Sequence, residues 1–150
     1  MKFKFFIVAF ILISPLLANA DNGLIKVQSQ FDVNTTTDRL EQMLAKKGMT
    51  IFARIDHSGG AKKVGINIAP TQLLIFGNPK VGSPLIACQQ TIAIDLPQKA
   101  LISQDKNNQV WLTYNDPIYL ADRHHVSGCE KALQKVSKAL ANFTKQATQP

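Results

Sequence analysis

Apolar and polar residues alternate from the start of the region after residue 24. Ile25, Val27, Ser29 and Phe31 fall on one side of Lys26, Gln28 and Gln30, the two-residue period of a half-buried strand. The period then lengthens. Leu40, Met43 and Leu44 recur at helical spacing behind a start that Asn34 or Thr35 can cap, with Lys46 and Lys47 in the last turn and Gly48 beyond them. Met49, Ile51, Ala53 and Ile55 alternate with Thr50, Phe52, Arg54 and Asp56, which predicts a second strand ending at Asp56-His57. Ser58 to Val64 reads as a short helix closed by Gly65, Ile66 to Ala69 as strand-like, and Pro70 as a break. The unbroken apolar run Leu73 to Phe76 predicts a strand covered on both faces.

Gly77-Asn78-Pro79 stops that run. Pro79 and Pro84 each suit a first helical position, with Asn78 and Ser83 as caps, and Leu85, Cys88 and Ile92 then share a helical face that must end before Pro97. Lys99 to Gln104 and Val110 to Tyr114 predict a hairpin around Lys106-Asn107-Asn108, and Asp116-Pro117 starts a short helix through Leu120 towards Arg123. Ser127-Gly128-Cys129-Glu130 has the form of a capping box for a final helix. Its apolar residues Cys129, Leu133, Val136, Leu140 and Phe143 are segregated from Lys131, Lys135, Lys138 and Lys145, and Thr144 to Pro150 is expected to fray. The order βαββαββα predicts an α+β fold, a mostly antiparallel sheet with helices packed on one face. Strand order stays open.

Composition changes the picture mainly at the amino terminus. Lys2 and Lys4, the apolar stretch Phe5 to Ile13 and the small-residue site Ala18-Asn19-Ala20 predict a secretory signal over residues 1–20, leaving one domain from Asp21 to Pro150. The exported chain should be periplasmic or secreted. Its remaining segments fall short of the roughly 20 apolar residues of a membrane helix, so no stable membrane insertion is expected after cleavage. Without Lys2 and Lys4, 15 of the 17 basic residues stand against 10 acidic ones, a net charge of +5. That bias favours anionic partners without amounting to a nucleic-acid footprint. Cys88 and Cys129 both lie in the exported part, where an oxidising compartment permits a disulfide between them.

Asp56-His57 has the residue types of an acid/base pair, but neighbours along a strand point to opposite faces, and His57 equally suits the cap of the next turn. A catalytic role would require a third group, for which Tyr114, Asp116 and His124 are the candidates. His124-His125 beside Asp122 and Arg123 lacks the spacing of a ligand pair, and there is no Cys-x-x-Cys, so neither metal nor cofactor is expected. Gly77 to Ser83 can present backbone N–H groups to an anion, with Lys80 adding charge, or simply pack turn against helix; it lacks the P-loop spacing. The lysines of the last helix form either a solvated face or a surface for anions.

Ile55-Asp56-His57, the stretch Pro70 to Leu85 with its Phe76-Gly77-Asn78-Pro79 core, Asp95-Leu96-Pro97, Tyr114-Asn115-Asp116-Pro117 and Arg123-His124 occur in order between residues 55 and 124. This series resembles the DUF302 family, with Ser83 and Ile86 where relatives often carry threonine and methionine. The resemblance implies a compact α+β domain that can pair as a homodimer, and it supplies no catalytic residue to carry over. The first reading is therefore an exported, non-catalytic module holding a small or anionic ligand among His57, Asn78, Lys80, Tyr114, Asp116 and His124. A hydrolase-like or metal-dependent enzyme using His57, and a structural homodimer without ligand, remain as alternatives.

Overall fold

The computed structural model describes residues 22–150, so the expected signal at 1–20 lies outside the described residues. In chain order the elements are β1 (Leu24–Ser29), α1 (Val33–Lys46), β2 (Thr50–Asp56), α2 (His57–Lys63), β3 (Thr71–Gly77), α3 (Pro79–Cys88), a 3-10 turn (Gln90–Ile94), β4 (Gln98–Gln104), β5 (Val110–Asn115), α4 (Pro117–Arg123) and α5 (Glu130–Thr148). The strands make one five-stranded sheet in the order β1-β5-β4-β3-β2, every pair antiparallel. The α+β class, the antiparallel sheet and the β4-β5 hairpin are as the pattern predicts.

Helices α1 and α5 lie on one face of the sheet. Leu40, Leu44, Leu133, Leu140 and Phe143 there meet Leu74, Phe76, Ala100, Ile102 and Leu112 in a single core. The other face stays open. Leu73 and Ile75 on β3, paired with Leu101 and Lys99 on β4, are only half-buried, while Gln72, Leu74 and Phe76 are buried. The run Leu73 to Phe76 is therefore covered on one face rather than both; its continuous apolarity reflects an apolar open face, not a second helical layer.

Local chemistry departs from expectation at several ends. Asp32, not Asn34 or Thr35, caps α1: its carboxylate accepts from the Thr35 amide and hydroxyl, both at 2.8 Å. Asn34 is thereby free to accept from Gln72 Nε2 at 2.6 Å, while Arg54 donates to Gln72 Oε1 at 3.0 Å, tying α1 to β2 and β3. Residues 66–69 form no strand: the segment joins neither free edge of the sheet, and Ile66 and Ile68 are exposed. Pro84 lies inside α3 and starts nothing. The helix stops at Cys88, and extended Gln89 lets the 3-10 turn fold back so that Ile92, like Leu85, still reaches the core.

The expected capping box does not form. Glu130 Oε1 accepts from the Gly128 amide at 2.9 Å rather than from Ser127, and α5 is preceded by Cys129 without a side-chain cap, Gly128 sitting at φ 77. Cys129 is held instead to Cys88, with the two sulfurs at bonding distance and the Cα atoms 6.4 Å apart, which links the end of α3 to the start of α5. The carboxyl-terminal residues do not fray. Thr144, Ala147 and Thr148 are buried, Gln30 N donates to Thr148 O, and Arg39, stacked 4.3 Å from the Phe31 ring centroid, donates to the carbonyls of Gln146, Ala147 and Gln149.

Three hydrogen-bonded carboxylates are expected to make the fold acid-sensitive. Asp32 is held below its ordinary pKa chiefly by the Thr35 amide, Asp56 by the Gly59 amide, and Asp105 by the Trp111 indole. Folded values below unfolded ones mean that the stabilisation is complete above the unfolded carboxylate range, about pH 4, and is lost as pH falls through the lower folded values. Urea midpoints should hold from pH 7 to about 5 and drop below 4. Asp105→Asn should flatten that acid limb; an unchanged limb would count against the assignment.

A candidate binding site at one end of the sheet

Antiparallel register sorts the expected site residues into two groups. Thr50 pairs with Gly77 and Asp56 with Gln72, so β2 ends where β3 begins. His57 thus stands at the opposite end of the sheet from Asn78, about one seven-residue strand or roughly 20 Å away. The start of β4 and the end of β5 share the Asn78 end, which brings Asp116 there, two strand spacings from Asn78 or roughly 10 Å. His57, Asn78 and Asp116 do not converge; consecutive antiparallel strands finish at alternate ends.

Each residue has a local task. Asp56 caps α2 by accepting from Gly59 N at 2.8 Å and from the Ser58 hydroxyl at 2.7 Å, which leaves exposed His57 without a hydrogen bond among the described residues. Asn78 accepts from Lys80 N at 2.9 Å and donates to Gly48 O at 2.8 Å, fastening the start of α3 to the α1–β2 turn. Asp116 accepts from Ile118 N at 2.9 Å and caps α4. Tyr114 faces the helical layer, where burial raises its pKa.

His124 finds a partner that the linear motifs did not join. Its Nε2 lies 2.6 Å from Asp95 Oδ2 and its Nδ1 3.2 Å from Thr91 Oγ1, with Arg123 Nη1 3.5 Å from the same carboxylate oxygen. The cluster ties the 3-10 segment to the end of α4. Asp95-Leu96-Pro97 and Arg123-His124 were each visible as motifs, but nothing in their spacing places them side by side.

Between α3, the 3-10 segment and the start of β2 is a cavity of about 270 Å³. Met49, Phe52, Leu85, Ile86, Leu96 and Val136 make it strongly apolar, and Asn78, Ser83 and Gln98 supply its few polar atoms. A β-bulge between Ile51 and Ala53 sets Phe52 at its mouth, 56% exposed. Gly77 closes the floor: a Cβ there would stand 3.3 Å from Pro97 Cβ and 3.4 Å from the Phe52 ring. Neither a nucleophile paired with a base nor a group of metal-ligating side chains lines it, and no such metal group occurs among the described residues. The arrangement can desolvate an apolar group.

Lys80 points elsewhere. With Lys131, Lys135 and Lys138 it lines a second, wider cleft of about 690 Å³ between α3 and α5, floored by Val81, Pro84, Ala132 and Ala139.

A family model described as "Domain of unknown function DUF302" matches residues 25–143. Proteins named fluoride-specific ion channel FluC 1 from Brucella suis biovar 1 (strain 1330) and FluC 2 from Brucella melitensis biotype 1 are each 39% identical to this chain over 134 residues, covering 89% of it but 53% and 50% of themselves. The chain spans about half the length of these curated relatives. A crystal structure of an uncharacterized conserved DUF302 protein from Bacillus stearothermophilus has the same fold, with a TM-score of 0.76 over 84% of this chain and 98% of that one at 18% identity.

Proposed function

The chain belongs to the DUF302 family, and on that premise we propose that it is an exported, non-catalytic module that binds a small ligand through its apolar part. The cavity carries this reading: it is walled by aliphatic and aromatic side chains, and its conspicuous polar side chain, Asn78, is already engaged at both ends. The alternative of a base at His57 has little support, since that imidazole is exposed at the far end of the sheet and lacks an orienting hydrogen bond among the described residues. Fluoride conduction, named for the Brucella proteins, is not part of the proposal. The match covers only half of them, and no helix among the described residues is long and apolar enough to cross a membrane.

Gly82 offers a direct test. It lines the cavity, and a Cβ there would meet nothing nearer than Leu96 Cδ1 at 3.9 Å, so Gly82→Leu puts a side chain into the space while adding helix propensity. Titration with octanol should raise the melting temperature of the wild type through preferential binding to the folded state, and should leave Gly82→Leu unmoved. Equal responses in the two proteins would exclude the cavity.

The open sheet face motivates a homodimer. Ala53, Leu73, Ile75, Leu101 and Trp111 leave half-buried apolar surface across four strands, of the kind that a second copy covers. Native mass spectrometry of the exported protein should give twice the mass of a chain beginning at Asp21. A monomer mass would reject the dimer, and retention of residues 1–20 would reject the signal.

A further inference from the structure

We infer that the cavity and the lysine cleft form one composite site for an anionic amphiphile, with the alkyl chain in the cavity and a carboxylate or phosphate head among Lys80, Lys131, Lys135 and Lys138. The inference rests on the cavity reading and adds the chemistry of the ligand's other end. Both spaces are lined by α3, and the cavity reaches α5, the cleft's other wall, at Val136. Val81 of α3 lines both, and on α5 the cavity residue Val136 directly follows the cleft residue Lys135. Val81, itself 39% exposed, is thus the wall that the cavity and the cleft share.

The cleft's charge is unbalanced. No acidic residue lines it, and none of its four lysines makes an ion pair among the described residues. Lys131, Lys135 and Lys138 follow one another at spacings of four and three, which places like charges side by side on α5 at a cost to the helix. Lys80 adds a fourth charge from α3. An anionic head would relieve this repulsion, and the apolar floor of Val81, Pro84, Ala132 and Ala139 would cover the first carbons of its chain. The Cys88–Cys129 link holds one end of α3 against the start of α5 and so fixes the spacing of the two walls.

Octanoate, octyl phosphate, octanol and inorganic phosphate, titrated at low salt into the wild type, Gly82→Leu and the triple variant K131Q/K135Q/K138Q, separate the contributions. The triple variant changes exposed positions, so retained far-ultraviolet circular dichroism should accompany it. In the wild type both anionic amphiphiles should bind about tenfold tighter than octanol, and phosphate alone much more weakly than octyl phosphate. The triple variant should bring them to the level of octanol, leaving octanol itself unchanged, and Gly82→Leu should weaken all three chain-bearing ligands. Octanol binding with no anionic preference in the wild type, or a preference that survives in the triple variant, would overturn the composite site while leaving the cavity intact. Failure of octanol to bind overturns the cavity and with it this inference. Amphiphile binding no tighter than phosphate, or untouched by Gly82→Leu, would show an anion site without the chain and also overturn it.

Discussion

Replacing both Cys88 and Cys129 with serine is expected to lower the stability of the oxidised protein by about 4 kcal/mol. The two residues are 41 apart in sequence, and closing a loop of that length in the unfolded chain costs about this much in the chain-entropy description of a disulfide. The substitution isolates that effect well. Cys88 is exposed and Cys129 only half-buried, so the exchange of sulfur for oxygen leaves no cavity and buries no unpaired hydroxyl. Urea unfolding with and without reductant gives the measurement: the wild type should lose its advantage on reduction, and the double variant should be indifferent to it. Identical wild-type midpoints under both conditions would show that the pair is not bonded in solution. The same comparison bears on binding, because this link positions α3 against α5.

Truncation after Phe143 should be nearly as damaging, at about 3 to 5 kcal/mol, although the segment is short, polar and terminal. Residues 144–150 supply the carbonyls that receive Arg39 and the carbonyl that receives Gln30 N, and they bury Thr144, Ala147 and Thr148. Hydrogen bonds from a charged donor contribute about 1.5–3 kcal/mol each where the alternative is an unpaired partner, and these overlap on one guanidinium, so they do not sum. Arg39→Ala in the full-length chain should itself cost part of this, about 1 to 2 kcal/mol, since it removes the donor and keeps the buried threonines. Equal stability of the truncated and intact proteins would mean that the last turn of α5 is frayed in solution.

These two features illustrate what sequence conveys and what it does not. Period and punctuation are local, and they were legible: alternation marks β1 and β2, Asn78-Pro79 and Asp116-Pro117 open α3 and α4, and the three-four spacing of Leu133, Val136, Leu140 and Phe143 marks the buried face of α5. The same motifs in series carried the family. Errors arose where a distant partner decides. Thr144 to Pro150 has the composition of a loose tail, yet Arg39, more than a hundred positions earlier, holds it. Asn34 is a good cap by type, but Asp32 sits at the helix start and Gln72 claims the amide.

The site shows the same division. Its residue types were visible, as was a functional bias towards the Gly77 to Ser83 stretch, because glycine, proline and asparagine have conformational preferences that act within a few residues. Convergence is a property of register. An antiparallel neighbour reverses the chain, so His57 and Asn78, each following a strand, finish at opposite ends of the sheet, while Asp95 and His124 meet without any shared motif. The apolar cavity depends on a bulge at Phe52 and a close approach of Gly77 to Pro97, and the lysine cleft on the docking of α3 beside α5. Sequence by itself determined most of the elements that form, the Asn78-Pro79 and Asp116-Pro117 helix starts, the excess of positive charge and the family; the tertiary structure alone decided the α1 cap, the fate of residues 66–69 and of the carboxyl terminus, which ends share a side of the sheet and which charges share a wall, since those are set by pairing between segments that no local preference links.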